Sequence, residues 1–366
     1  MLPALSLRWS LNYAQAGRLF TVQLLASTLA VVLSGIVASR FGFRFAICPG
    51  LFAMAVGIAA LPFCSYLPGL VFIAIYGLGA GLAVPATNLA VAEENPSHRS
   101  AALSRLNFFW SLGAVACPFL VAAAEAIHRT RLFLLMVSAF MMVVAAVIIA
   151  IPSDRTERTA TLTSESAPPI EWSERSLLIL VGIFFLYVGT EVGFGGWIAT
   201  FANGLKKVTP SLAVMSPSFF YLALMLGRWA APFVLRRIDE IKVARFGVAI
   251  ACAGMIGMIA SNAVTGIVVS GIVAGFGLSA VFPITISLLS GRFGVSASRL
   301  GSLMFTLSNL GGACLPWLVG YSSKRFGNPR AGLVAPLISG ILIYVLFSNW
   351  NSTPIKESET AMNLTR

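Results

Sequence analysis

The chain has 366 residues, of which 58% are apolar and only 10% charged, and its formal net charge is +12. Its mean hydropathy is +0.88. Soluble domains carry about 25% charged residues, so this composition cannot clothe a water-facing surface and needs lipid as its solvent. The Lys and Arg excess is spread over many loops rather than gathered in one patch, which argues against a nucleic-acid partner.

In chain order, eleven stretches reach the roughly 20 apolar residues that a membrane span needs. They are 16–38, 45–63, 68–92, 105–127, 131–151, 176–202, 211–235, 243–261, 264–290, 299–320 and 331–349. Each is predicted to be a helix, because a segment in hydrocarbon must satisfy its own backbone groups. A polar stretch over 153–175 separates five spans from six. The predicted organisation is a five-span bundle over 1–152, a linker over 153–175, a six-span bundle over 176–349 and a tail over 350–366. The expected class is an all-α integral membrane protein with about eleven transmembrane helices. The loop ends bearing Arg40, Arg44, Arg99, Arg105, Arg236 and Arg237 belong to the side richer in Lys and Arg; Arg8, Arg18, Lys206, Lys207 and Arg330 mark the poorer side. The richer side is expected to be cytoplasmic, with the linker and tail inside. No cleavable signal is expected at the N-terminus.

A repeat runs through these spans. Gly77, Gly79, Pro85, Gly113 and Pro118 match Gly275, Gly277, Pro283, Gly311 and Pro316 at a constant offset of 198. Two apolar halves built to one plan point to a transporter made of duplicated bundles.

Glu191 is the one acidic residue deep within a predicted span. A carboxylate near the midplane is costly and marks a functional site by default; the plain alternative is a neutral, satisfied structural residue. Its helix carries Gly189, Gly193, Gly195 and Gly196, which weaken it and free carbonyls toward a cavity. Tyr187 stands one turn before Glu191 on the same face, and Trp197 about a turn and a half beyond. Both suit a sugar ring and suit helix packing equally. Arg228, the one basic residue inside a span, is expected to meet Glu191 directly or, more readily across a depth gap of some five residues, through a water; the plain alternative is an arginine that snorkels to the cytoplasmic face. Asn309 and Tyr221 are placed to hydrogen-bond a polar solute or a neighbouring helix. Asn88, Asn107 and Trp110 are read first as gate or packing residues at the cytoplasmic end.

Nothing here resembles an enzyme. His98 and His128 lie in different loops, and Cys48, Cys64, Cys117, Cys252 and Cys314 have no metal-type spacing. There is no phosphate loop and no nucleophile elbow, so no cofactor or metal is expected.

The segment GIVASRFGFR, with Gly35, Ser39, Arg40, Gly42 and Arg44, resembles the loop G-x-x-x-D-R-x-G-R-R of the major facilitator superfamily. Ser39 stands where that family usually has Asp. The stretches around Tyr76–Asn95, Leu103–Phe119, Tyr187–Phe201 and Gly277–Leu288 resemble the fucose–proton symporter group and its sodium–glucose relatives. The resemblance implies two six-helix bundles around a cavity, alternating access, and a gating role for Gly35, Arg40, Gly42 and Arg44. It also implies a first helix ahead of the Arg40 loop that is not found here. Met1–Leu5 looks like that helix's outer end, and an internal start or a genuine truncation would each produce this.

The leading expectation is a monomeric symporter in the cell's inner membrane, moving a small sugar-like solute with a proton or sodium ion. The alternatives are an efflux antiporter for drugs or metabolites and a truncated, non-transporting membrane protein. GAVACPF at Gly113–Phe119 lacks the G-P-x-x-G-G order frequent in the family's antiporters, which weighs against efflux.

Overall fold

The computed structural model describes residues 2–94, 99–151, 175–205, 209–293 and 297–350. The predicted linker and tail fall almost wholly outside these residues, as do His98, Lys206, Lys207 and the side chain of Ser39.

Among the described residues every long element is a helix. The first half holds α1 (Leu2–Arg8), α2 (Tyr13–Phe41), α3 (Phe43–Ala60), α4 (Tyr66–Glu94), α5 (Arg99–Ala126) and α6 (Thr130–Ala150). The second half holds α7 (Arg175–Gly195), α8 (Ile198–Asn203), α9 (Pro210–Leu235), α10 (Glu240–Ala260), α11 (Val264–Leu278), α12 (Val281–Phe293), α13 (Ala297–Arg325) and α14 (Pro329–Ser348). Among the described residues eleven helical segments are long and apolar enough to cross a membrane, in the positions the hydropathy predicts. Large apolar side chains such as Leu29, Phe140, Ile149 and Trp229 lie exposed on them, which only a lipid surround accommodates.

Two predicted spans are broken. The stretch over 176–202 divides at Gly196 and Trp197 into α7 and α8, and that over 264–290 divides at Ser279 and Ala280 into α11 and α12. The first break follows the glycine run. At the second, the Ser279 hydroxyl donates to the Phe276 carbonyl at 2.6 Å and so replaces part of the helical ladder. The span expected to end at 320 runs on to Arg325.

The repeat extends to the helix bounds. Adding 198 to α2, α3, α5 and α6 gives 211–239, 241–258, 297–324 and 328–348, within a few residues of α9, α10, α13 and α14. The same shift carries α4 onto 264–292, the combined reach of α11 and α12, and carries α1 onto 200–206, overlapping α8. Among the described residues α7 has no counterpart in the first half. The short α1 packs against α8, its equivalent in the other half.

Besides the small α1–α8 contact, the halves meet along α2 with α13 and α5 with α9. At the end expected to face outward this contact is tight. The Thr21 hydroxyl donates to the Ala313 carbonyl at 3.0 Å, and the Tyr13 ring lies 6.2 Å from that of Trp197. A Cβ at Gly320 would lie 2.4 Å from the Tyr13 carbonyl oxygen, so a larger residue there would hold α2 and α13 apart.

Candidate solute site

Two elements of the second half fix α7. On one side Gly189 lies against the Gly311 carbonyl of α13. On another, the Thr190 hydroxyl donates to Ser339 of α14 at 2.7 Å, and Ser339 donates to the Leu186 carbonyl at 3.2 Å. These buried bonds set the rotation of α7. They leave Tyr187 and Glu191, one turn apart, on the face that meets Arg228 of α9.

Arg228 spans that turn. Its Nη2 donates to the Tyr187 hydroxyl at 3.2 Å and lies 3.5 Å from Glu191 Oε2. The contact with Glu191 is therefore direct, and the water bridge that the depth gap favoured is not needed. Arginine side chains lean toward the N-terminus of their helix, and for α9 that direction leads back toward Glu191. The depth difference between the two backbones is covered by the length of the side chain. Tyr187 is fully buried, and the Glu191 and Arg228 side chains are 10% and 23% exposed. Arg228 Nε is buried and, among the described residues, has no hydrogen-bond partner.

The first half supplies one further neighbour. Trp110 of α5 places its ring 6.0 Å from the Arg228 guanidinium carbon, within the range of a cation–π contact. Sequence reasoning ranked Trp110 as a gate or packing residue. The signal it passed over was depth, since Arg228 and Trp110 both lie on the cytoplasmic side of the midplane.

A family model, the Major Facilitator Superfamily, matches residues 1–316, which is most of the chain. The chain belongs to that superfamily. It is thus a multi-pass membrane protein of a transporter family and not an enzyme. It is 28% identical over 362 residues to a glucose/galactose transporter of Brucella abortus, a match covering 92% of this chain and 86% of that protein. Among solved structures it resembles a bacterial homologue of the human lysosomal transporter Spinster, inward-facing and occupied. There the TM-score is 0.75 at 14% identity, covering 96% of this chain and 94% of the other. It also resembles the Escherichia coli fucose:proton symporter, with a TM-score of 0.60 at 17% identity over 93% and 98% of the two chains. Likeness at these identities shows the superfamily fold alone.

The other expected site residues are placed as follows. Tyr221 lies on α9, two turns toward the outer end from Arg228, and lines a cavity of about 230 Å³ between α1, α2, α5, α7, α8 and α9. Trp197 is not at the pair. It is fully buried, and its indole N–H donates to the Pro316 carbonyl at 3.2 Å. Asn309 is half-buried on α13, and among the described residues no hydrogen bond joins it to Arg228 or Glu191.

In the superfamily loop, Gly42 joins α2 to α3 with φ 91°, a conformation that excludes ordinary side chains, and its N–H caps α2 on the Ala38 carbonyl at 2.9 Å. Arg44 donates to the Ile151 carbonyl at the C-terminal end of α6. A cation suits that negative helix end, and the bond stays within the first half. Arg40 is exposed, and among the described residues nothing lies within 4 Å of a Cβ at Gly35.

Proposed function

We propose that this superfamily member is a secondary transporter for a small, sugar-like polar solute, acting as a monomer by alternating access and coupled to a proton or sodium gradient. The observation that carries the reading is the Arg228–Glu191–Tyr187 cluster, a charged pair held inside the membrane span between α7 and α9. Ionisable groups at such depth are expensive, and hydrogen-bonding chemistry with a solute or a proton is what repays them. The similarity to the Brucella glucose/galactose transporter favours a hexose as the solute.

In this reading the halves 1–152 and 176–349 rock against one another about the α2–α13 and α5–α9 seams. The close packing of Tyr13, Trp197 and Gly320 forms the outer gate, and the Gly35–Arg44 loop takes part in the inner one. Glu191 carries the coupling proton or helps to hold the coupling cation, and Arg228 orients it. Asn309 and Tyr221 are further solute contacts that become available as the halves move.

The direct test is uptake of labelled D-glucose and D-galactose by purified protein in proteoliposomes, with an inward pH gradient, a sodium gradient or neither. Accumulation above the external concentration under one gradient is expected. Protein-dependent uptake of neither sugar under any condition would refute the reading.

A further inference from the structure

We infer that the lipid-facing seam between α10 and α14 binds the phosphate of an anionic phospholipid. Arg245 and Lys242 are its cationic contacts, and Tyr344 positions the guanidinium.

The seam is bridged on the outside of the bundle, where α10 and α14 pack together. The Arg245 guanidinium carbon lies 5.3 Å from the centre of the Tyr344 ring, and its Nη2 donates to the Tyr344 hydroxyl at 3.4 Å. Tyr344 is exposed, as are Phe246 beside Arg245 and Ile341 and Val345 on α14, so the bridge faces lipid. Its depth suits a headgroup. Glu240 begins α10 and Ser348 ends α14 at one membrane face, which places Arg245 and Tyr344 about 6–8 Å inside it. At that depth Arg and Tyr rest their apolar bodies in hydrocarbon and hold their polar tips among the headgroups. The Arg245 side chain leans toward the N-terminus of α10, which is the same direction.

The local charge is positive and unanswered. Lys242 is exposed one turn nearer the membrane face, about 60° around the helix from Arg245. Among the described residues no carboxylate forms an ion pair with either. The two acids closest in sequence are engaged elsewhere. Asp239 accepts from the backbone N–H groups of Ile241 and Lys242 and so caps α10. Glu240 lies well around the helix from both cations and accepts from the Ser287 hydroxyl of α12 at 2.9 Å.

The repeat shows that the fold does not require this bridge. Shifted back by 198, Arg245 and Tyr344 become Ile47 and Ala146, and Lys242 becomes Arg44. Arg44 turns its guanidinium to the Ile151 carbonyl of its own half. At the opposite face Arg330 is closed by the Ser261 carbonyl at 3.0 Å and by Asn262. Arg245 instead stands against an aromatic face at the lipid boundary, with N–H donors left for a phosphate. A zwitterionic headgroup would bring its own cation beside two others, so the site selects an anionic one.

The test is a titration of purified protein in detergent, following the melting temperature, with phosphatidylglycerol or phosphatidylcholine of the same acyl chains. Wild-type protein should bind phosphatidylglycerol about ten-fold more tightly. Arg245→Gln and Lys242→Gln should each weaken that binding by about five-fold, and Tyr344→Leu by about three-fold. All three should keep the wild-type response to phosphatidylcholine, which reports an intact fold. Arg105→Gln, which removes an exposed charge from the same face of the first half, should leave phosphatidylglycerol binding unchanged. Equal affinities of wild-type protein for the two lipids would overturn the site, as would unaltered phosphatidylglycerol binding in both charge variants. An equal loss in Arg105→Gln would overturn it by marking a diffuse attraction to basic loops. Displacement of the lipid by millimolar inorganic phosphate would mark a free-anion site and overturn the lipid assignment.

Discussion

A Cβ placed on Gly311 would lie 1.8 Å from the backbone oxygen of Phe185. Helices α13 and α7 thus touch backbone to backbone at the turn just before Tyr187. The repeat equivalent of Gly311 is Gly113 on α5, and among the described residues a Cβ there would meet nothing within 4 Å. The same glycine in the same repeat is indispensable in one half and unconstrained in the other. Gly311→Ala should therefore destabilise the protein by about 1–3 kcal/mol, as overpacking does. Gly113→Ala should change stability by no more than about 0.5 kcal/mol. Thermal unfolding of the two variants in detergent checks this, and equal losses would refute it.

Glu191→Gln keeps the shape and hydrogen-bonding capacity of the side chain but cannot bind and release a proton. Exchange of solute between equal pools should persist, while gradient-driven accumulation should be lost. Paired exchange and accumulation assays in proteoliposomes decide the matter. Undiminished accumulation by the variant would remove Glu191 from the coupling step.

Arg228→Ala should weaken both exchange and accumulation, because it removes a solute contact and strands the Glu191 carboxylate. Stranding one member of a buried pair costs about 3–5 kcal/mol, more than the pair itself is worth. The double variant Arg228→Met with Glu191→Gln should consequently melt at a higher temperature than Arg228→Ala alone. A double variant no more stable than the single one would mean that the pair contributes no buried electrostatics.

Trp197 donates its indole N–H to the Pro316 carbonyl and stands against Tyr13 rather than beside Arg228. Trp197→Phe should lower stability by about 0.5–1.5 kcal/mol and leave the hexose KM unchanged. Thermal melting and exchange kinetics on the same preparation check both halves of this expectation. A several-fold rise in KM would return Trp197 to the solute site.

Gly320→Val should hold α2 and α13 apart at their outer ends, since even a Cβ there comes within 2.4 Å of the Tyr13 carbonyl oxygen. In a variant freed of its native cysteines, a cysteine at position 13 should react faster with an impermeant maleimide added outside when Gly320→Val is present. Equal rates would mean that this contact does not govern outer closure.

The sequence by itself determined the helical membrane class, the eleven spans, the repeat and the depth of Glu191 within its span. These are one-dimensional properties: apolar run length follows from bilayer thickness, an offset of 198 is visible in the letters, and a lone carboxylate in hydrocarbon announces its own cost. The glycine run marked the helix over 176–202 as weak, but its division into α7 and α8 came from the structure. Only the tertiary structure decided which side chains meet. Depth measured along a helix axis weighed against the direct Arg228–Glu191 contact, because it ignores how far an arginine leans and how α7 is rotated. That rotation is set by Ser339 and Gly311, which lie on other helices more than a hundred residues away. For the same reason Trp197 turned to Pro316 and Trp110 came to lie beside Arg228. Their chemistry was legible in the sequence, but the helix faces that they share were fixed by packing.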